Sequence, residues 1–246
     1  MSTYRVGTSG YNYPEWKGSF YPADLAAAKM LRYYAERFST VEINYTFYRM
    51  PNEKTVTGWA AQTPDEFTFT LKAPRRITHL SKLRGTADTV RFFCDVAAKL
   101  GPKLGVLLFQ LAPTFKKDLG VFDEFLATLP PGTRAAFEFR HPSWEADDVY
   151  ERLRARNLAL CVADSERSST PVVVTADYAY FRLRDEGYTE PDIARWAATI
   201  VERTADLTDV FVYFKHEEQG KGPEFARLLA EKLCAADAAR PTPPGA

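Results

Sequence analysis

The strongest constraint in this chain is a rhythm. Eight short apolar runs recur along it: Tyr4–Thr8 (YRVGT), Thr40–Asn44 (TVEIN), Phe67–Lys72 (FTFTLK), Gly105–Gln110 (GVLLFQ), Ala135–Arg140 (AAFEFR), Leu158–Ala163 (LALCVA), Tyr178–Leu183 (YAYFRL) and Asp209–Phe214 (DVFVYF). Each is β-branched or aromatic and about as long as one strand. Segments of helical spacing separate most of them: Asp24–Arg37, Asn52–Gln62, Thr86–Leu100, Lys117–Leu129, Trp144–Arg156, Glu190–Ala205 and Gly222–Cys234. In Thr86–Leu100, for example, Val90, Phe93, Ala97 and Leu100 form one stripe that Gly101-Pro102 ends. Asp24 suits an N-cap, and Pro191 and Pro223 suit first-turn positions.

Eight strand–helix units across 246 residues give about 31 residues per unit, the size of a βα repeat. The pattern predicts an α/β fold, a TIM-type (β/α)8 barrel, for which about 250 residues is typical. A doubly wound open sheet is the competing architecture. One unit is irregular. Asp164–Asp177 (DSERSSTPVVVTAD) is short and rich in Ser and Thr, so the connection after the sixth strand is expected to lack a full helix. A single domain is expected over residues 1–234, with 235–246 as a flexible tail.

Bulk composition narrows the partners. Lys and Arg number 32, as do Asp and Glu, and the pI is about 6.8, which argues against a surface coated in basic charge for polyanions or membranes. No apolar run approaches the roughly 20 residues of a membrane span. Met1–Gly7 leads straight into a strand-like run, so no targeting segment is expected there. Cys94, Cys161 and Cys234 are widely spaced and odd in number, which suits buried thiols in a reducing compartment. The expectation is a soluble, cytoplasmic protein without a membrane partner; the sequence sets no oligomeric state.

The ends of the strands are polar, and in a barrel the active site lies at their C-terminal side. Period two places Glu42 with Asn44, Glu138 with Arg140, and Tyr180 with Arg182 and Arg184, each set opposite apolar neighbours. If the apolar face meets the helices, these side chains point into the barrel mouth. The cations Lys72, Arg75, Arg76, Arg140, Arg182, Arg184 and Lys215 outnumber the carboxylates Glu42, Glu138, Asp164 and Glu166 at these ends. That excess favours a small anionic ligand, a phosphate or carboxylate. A ring of mutually neutralising ion pairs that plugs the barrel is the alternative, and it would remove the case for an enzyme.

Within the ligand reading, Glu138 or Asp164 is the expected acid or base, with His141 or His216 as a second proton carrier. Lys72, Arg140, Arg182 and Lys215 would hold the anion, supported by Glu42, Asn44 and Gln110. Tyr11, Trp16 and Trp144 are aromatic candidates for stacking on a sugar or base. Hydrolysis or isomerisation fits better than redox chemistry, since no nucleotide-cofactor motif such as GxGxxG is present; a P-loop and a GxSxG elbow are absent too. No cofactor is expected. A divalent metal would require Glu42, Glu138, Asp164 and His216 to converge, and the neighbouring Arg and Lys oppose that. A metal-dependent phosphodiesterase or nucleic-acid repair nuclease is an alternative that the zero net charge disfavours. A non-catalytic small-anion binder is another. Lys72 could also carry Schiff-base chemistry, although a charge-paired anion binder is the more ordinary role for it.

Several of these segments resemble the YecE-like family, labelled domain of unknown function number seventy-two. The stretches are Gly7–Trp16 (GTSGYNYPEW), Val41–Pro51 (VEINYTFYRMP), Phe67–His79 (FTFTLKAPRRITH), Leu104–Phe115 (LGVLLFQLAPTF), Phe137–Trp144 (FEFRHPSW), Tyr180–Leu183 (YFRL) and Val210–Phe214 (VFVYF). The resemblance covers roughly residues 4–234. It implies a TIM-type barrel, no defined reaction and no catalytic residue. Three positions depart from the family's habit: Ala112-Pro113 where two prolines are usual, Arg184–Gly187 where His-Gly is usual, and Lys215-His216 where an Asn pair is usual.

Overall fold

A computed structural model of the chain describes residues 2–166 and 168–238. Eight parallel strands form its centre: β1 Thr3–Ser9, β2 Thr40–Ile43, β3 Thr68–Lys72, β4 Leu104–Gln110, β5 Ala135–Glu138, β6 Ala159–Ser165, β7 Tyr178–Leu183 and β8 Asp209–Phe214. Each pairs with its sequence neighbour, and β8 pairs with β1 over Thr3–Thr8 and Asp209–Phe214. The β5–β6 pairing, Ala136 with Ala159 and Phe137 with Leu160, completes the ring. The result is the expected closed (β/α)8 barrel.

The outer layer contains α1 Met30–Ala35, α2 Tyr45–Tyr48, α3 Glu53–Ala60, α4 Ala87–Ala97, α5 Leu119–Leu126, α6 Asp147–Arg154, α7 Glu190–Arg203 and α8 Lys221–Ala238. Asn52 and Asp118 cap α3 and α5 by accepting from Thr55 N and Val121 N, as short polar side chains do at helix starts. Thr189 and Asp192 form a reciprocal capping box on α7, with Pro191 in the first turn. Asp24 is no cap; it precedes a single 3-10 turn, Ala27–Lys29, that leads into α1. Trp144 ends a separate 3-10 turn, and α6 starts three residues beyond it. After β6 the described residues form only a two-residue antiparallel strand, Ser168–Ser169, and no helix, as expected. Helix α8 carries residues 235–238 of the expected tail; 239–246 lie outside the described residues.

Strand periodicity divides the core in two. Val41, Ile43, Phe69, Leu71, Phe109 and Phe137 pack outward against the helices. Val106, Leu108, Ala136, Ala159, Cys161, Tyr178, Tyr180, Phe211 and Tyr213 fill the barrel interior. Tyr213 ties the interior to neighbouring strands, its hydroxyl lying 2.7 Å from Thr40 Oγ1 and 2.9 Å from Thr70 Oγ1. Close approach governs Gly7 on β1, where any Cβ would collide with the Thr40 carbonyl oxygen. No helix among the described residues is long and apolar enough to cross a membrane.

Candidate functional site

The strand parity that turns Tyr178 and Tyr180 into the barrel also turns Arg182 inward, one layer nearer the C-terminal mouth. There it meets Glu42 of β2 and Glu138 of β5. Arg182 donates from Nε to Glu42 Oε2 and from Nη2 to Glu42 Oε1, both at 2.9 Å, and from Nη1 to Glu138 Oε2. All three residues are at most 1% exposed. Charges so deeply buried persist only with full hydrogen bonding, and these have it. Glu42 also accepts from the Ser9 and Tyr180 hydroxyls. Glu138 also accepts from Gln110 Nε2 and Arg140 Nε, each at 2.8 Å. Asn44 extends the network by donating to Ser9 Oγ at 2.8 Å.

Burial alone would raise both carboxyl pKa values. Burial is the largest single effect, but the Arg182 charge together with hydrogen bonds at Glu42, and with Arg140 and Lys72 at Glu138, outweighs it. Both carboxyls therefore titrate below the usual carboxylate range, Glu138 far below it. These three residues form the ion-pair plug considered from sequence.

The plug is the floor of the site, and cations lie around it. Arg140 reaches toward solvent from the end of β5, and Arg184 stands 3.7 Å from Glu138 Oε1. Lys72, at the end of β3, is only 8% exposed. Its ammonium has no hydrogen bond or ion pair with the described residues, and it lies 4.3 Å from the centre of the Phe47 ring. Burial, then the Arg182 charge, lowers the Lys72 pKa to about 7, although Glu138 and Glu42 pull the other way. His79 meets the same ring edge-to-face at 5.0 Å, and its pKa is lowered by burial and by Lys72.

Other candidates lie elsewhere. Asp164 and His216 alternate with the inward positions 163 and 215, so both face the helix layer; this corrects their assignment to the mouth. Asp164 accepts from the Tyr188 hydroxyl at 2.6 Å. His216 Nε2 bonds the Asp185 carbonyl, and its ring packs on Phe214 and Phe225. Neither can share a proton or a metal with Glu42 and Glu138, so the four-ligand metal set does not converge. Among the described residues no group of three or more His, Cys, Asp or Glu side chains is arranged to hold a metal ion.

His141 is engaged within its own turn. Its Nδ1 accepts from Ser143 N and anchors the turn at Pro142–Trp144. Glu166 accepts from the Glu186 amide on the exposed surface. Lys215 pairs with Glu217 at 3.7 Å. Arg75 and Arg76 line an outer groove with Tyr48 and Phe92.

Two of the three aromatic candidates are wholly buried. Trp16 donates to the Glu217 carbonyl and stacks on Tyr21; Trp144 donates to the Phe115 carbonyl and stacks on Phe139 at 4.9 Å. An indole has more to gain from packing and one buried hydrogen bond than from a wet rim. Tyr11 alone is accessible. It lines a cleft of about 190 Å³ with Tyr13, Asn44, Tyr45 and Trp59, beside the Ser9–Asn44 arm of the network. Sequence reasoning missed Phe47 and His79. The signal for both was their place in the short helical turns that follow β2 and β3, α2 and Arg76–Leu80.

These features define a parallel (β/α)8 barrel with an arginine-centred polar floor and a cationic mouth. Residues 5–246 match the model of the family described as "Protein of unknown function DUF72", and the chain belongs to that family. It is 32% identical over 154 residues to the UPF0759 protein YecE of Escherichia coli (strain K12), covering 62% of this chain and 54% of the relative. The match therefore spans about half the length of that relative. The UPF0759 protein YunF of Bacillus subtilis is 24% identical over 254 residues, covering 87% of this chain and 90% of YunF. The crystal structure of a DUF72 family protein from Thermotoga maritima superposes with a TM-score of 0.81 at 26% identity, covering 94% of this chain and 99% of that one.

Proposed function

We propose that this protein binds a small anion at the C-terminal mouth of its barrel. Lys72, Arg140 and Arg184 would contact the ligand, and Arg182 with its two carboxylates would be the fixed floor. The observation that carries this reading is a charge imbalance. Lys72, Arg140, Arg182 and Arg184 gather around Glu42 and Glu138, with exposed Glu166 acting on Arg184 alone, and Arg182 already bonds both buried carboxylates. A phosphate or carboxylate would supply the missing negative charge and give the Lys72 ammonium a partner. The aromatic cleft beside Asn44 has room for a ring, so a sugar phosphate is a suitable ligand class.

Acid–base catalysis by Glu138 finds no support, because its carboxylate is saturated with donors and stays ionised at neutral pH. Binding is therefore the primary activity of this reading. The metal-dependent nuclease alternative loses its basis with its ligands split between two faces of the barrel wall.

Thermal unfolding with sulfate, phosphate and oxalate tests the proposal. The midpoint is expected to rise in a saturable way for the wild type. It should rise little in Arg140→Ala and Lys72→Met. If no anion raises the wild-type midpoint, the reading falls.

A further inference from the structure

We infer that Lys72 is a carbonyl-reactive amine that forms an imine with a small oxo acid or phosphorylated aldehyde seated in the mouth. This rests on the anion-binding reading, since the anionic end of the ligand would lie on Arg140 and Arg184.

Most lysines of this chain are solvated, among them Lys17, Lys54 and Lys116. Lys103 is buried, but its Nζ donates to the carbonyls of Ala60 and Thr63 at 2.8 and 2.7 Å. Lys72 is buried without such partners. On one side lies the Phe47 ring, and Thr46 Oγ1 fastens its strand end by donating to the Lys72 carbonyl at 2.7 Å. The charged groups acting on it are Arg182 from β7, Glu138 and Arg140 from the end of β5, and Glu42 from β2. The carboxylates among them are occupied by Arg182, so none is free to hold the ammonium. An amine placed this way loses its proton easily and keeps its lone pair for attack. The cations beside it recruit the anion that would bring a carbonyl within reach.

The bond changes balance without a cofactor. The Nζ lone pair forms a bond to the carbonyl carbon, and the C=O π electrons move to oxygen, which takes one proton as nitrogen loses one. The hydroxyl of the resulting carbinolamine takes a second proton and leaves as water while nitrogen gives up its remaining proton, leaving C=N. One carbonyl compound and one amine thus yield one imine and one water. Added borohydride supplies the hydride that reduces C=N to a stable secondary amine.

The test is to incubate the full-length protein with glyoxylate and borohydride and to map modified lysines by peptide mass spectrometry. Lys72 is expected to carry the reduced adduct at a level about tenfold above Lys17 and Lys116, and excess sulfate should protect it. In Lys72→Arg the adduct at this position disappears while the exposed lysines keep theirs. An adduct on Lys72 no higher than on exposed lysines overturns the inference. If glyoxylate competes with sulfate in thermal unfolding yet leaves Lys72 unmodified, the imine is wrong and the anion site stands. If neither compound stabilises the wild type, both readings fail.

Discussion

Arg182 and Glu42 face each other across the barrel as a two-pronged fork, Nε to Oε2 and Nη2 to Oε1, each at 2.9 Å and both side chains out of contact with solvent. A planar guanidinium matched to a carboxylate gives the strongest such pairing available to side chains. Because the same arginine also holds Glu138, its removal leaves buried Glu42 without a cation and Glu138 with Arg140 as its charged donor. Arg182→Met should therefore destabilise the fold by about 3–5 kcal/mol. Urea denaturation measures this, and a loss below about 1 kcal/mol would mean the plug contributes little.

Acid should attack the same cluster. The folded-state pKa values of Glu42 and Glu138 lie below their unfolded values, so the unfolded chain binds more protons in the window between them. Their contribution is fully present above the unfolded carboxylate value of about 4.3 and is lost as pH falls through the folded values. Stability of the wild type should decline in acid, and the decline should be shallower in Glu138→Gln. Equal slopes in urea titrations across that range would contradict this assignment.

Arg140 sits at the edge of the floor, where the proposed anion would meet it. Arg140→Ala removes one of two charged donors from Glu138, which retains Arg182 and Gln110. The expected loss of stability is about 1–2 kcal/mol, smaller than for Arg182. Sulfate affinity, measured calorimetrically, should fall about tenfold because a charge-assisted contact is lost. Unchanged affinity would move the anion elsewhere.

Trp144 should behave in the opposite way. Trp144→Phe loses a buried hydrogen bond to the Phe115 carbonyl and part of a stacked pair with Phe139. About 1–3 kcal/mol of stability should go with them. Sulfate affinity of the folded protein should not change. A variant that keeps its stability but loses affinity would restore Trp144 to the ligand site.

The barrel was readable in the sequence because each strand is a short β-branched or aromatic run and the helical segments between most of them carry caps and stripes. Much of the floor was readable too. Glu42, Glu138 and Arg182 share the parity of Thr40, Ala136 and Tyr180, so their inward direction follows from period two. The same parity, applied to Asp164 and His216, turns them away; they were misplaced because nearness to a strand end was weighed above alternation. Trp16 and Trp144 were misplaced because aromatic content does not say whether a ring faces solvent or core. Phe47 and His79 lie in single helical turns, α2 and Arg76–Leu80, too short for periodicity to mark direction. Whether opposite charges form a plug or leave a cation free depends on side-chain distances across the barrel, which no local pattern contains.

Lys72 links the anion site to the buried floor. Its amine should titrate near 7 in the free protein, against an ordinary 10.5, because burial and Arg182 disfavour the ammonium. A bound anion favours the charged form, so sulfate should bind best below that pH and weaken as pH rises through it. The most direct measurement is heteronuclear NMR of the lysine side chains, titrated with and without sulfate and assigned through Lys72→Arg. The expected result is a Lys72 pKa of about 7 that rises when sulfate is added. A Lys72 pKa near the ordinary lysine value, or one that sulfate leaves unmoved, would contradict it.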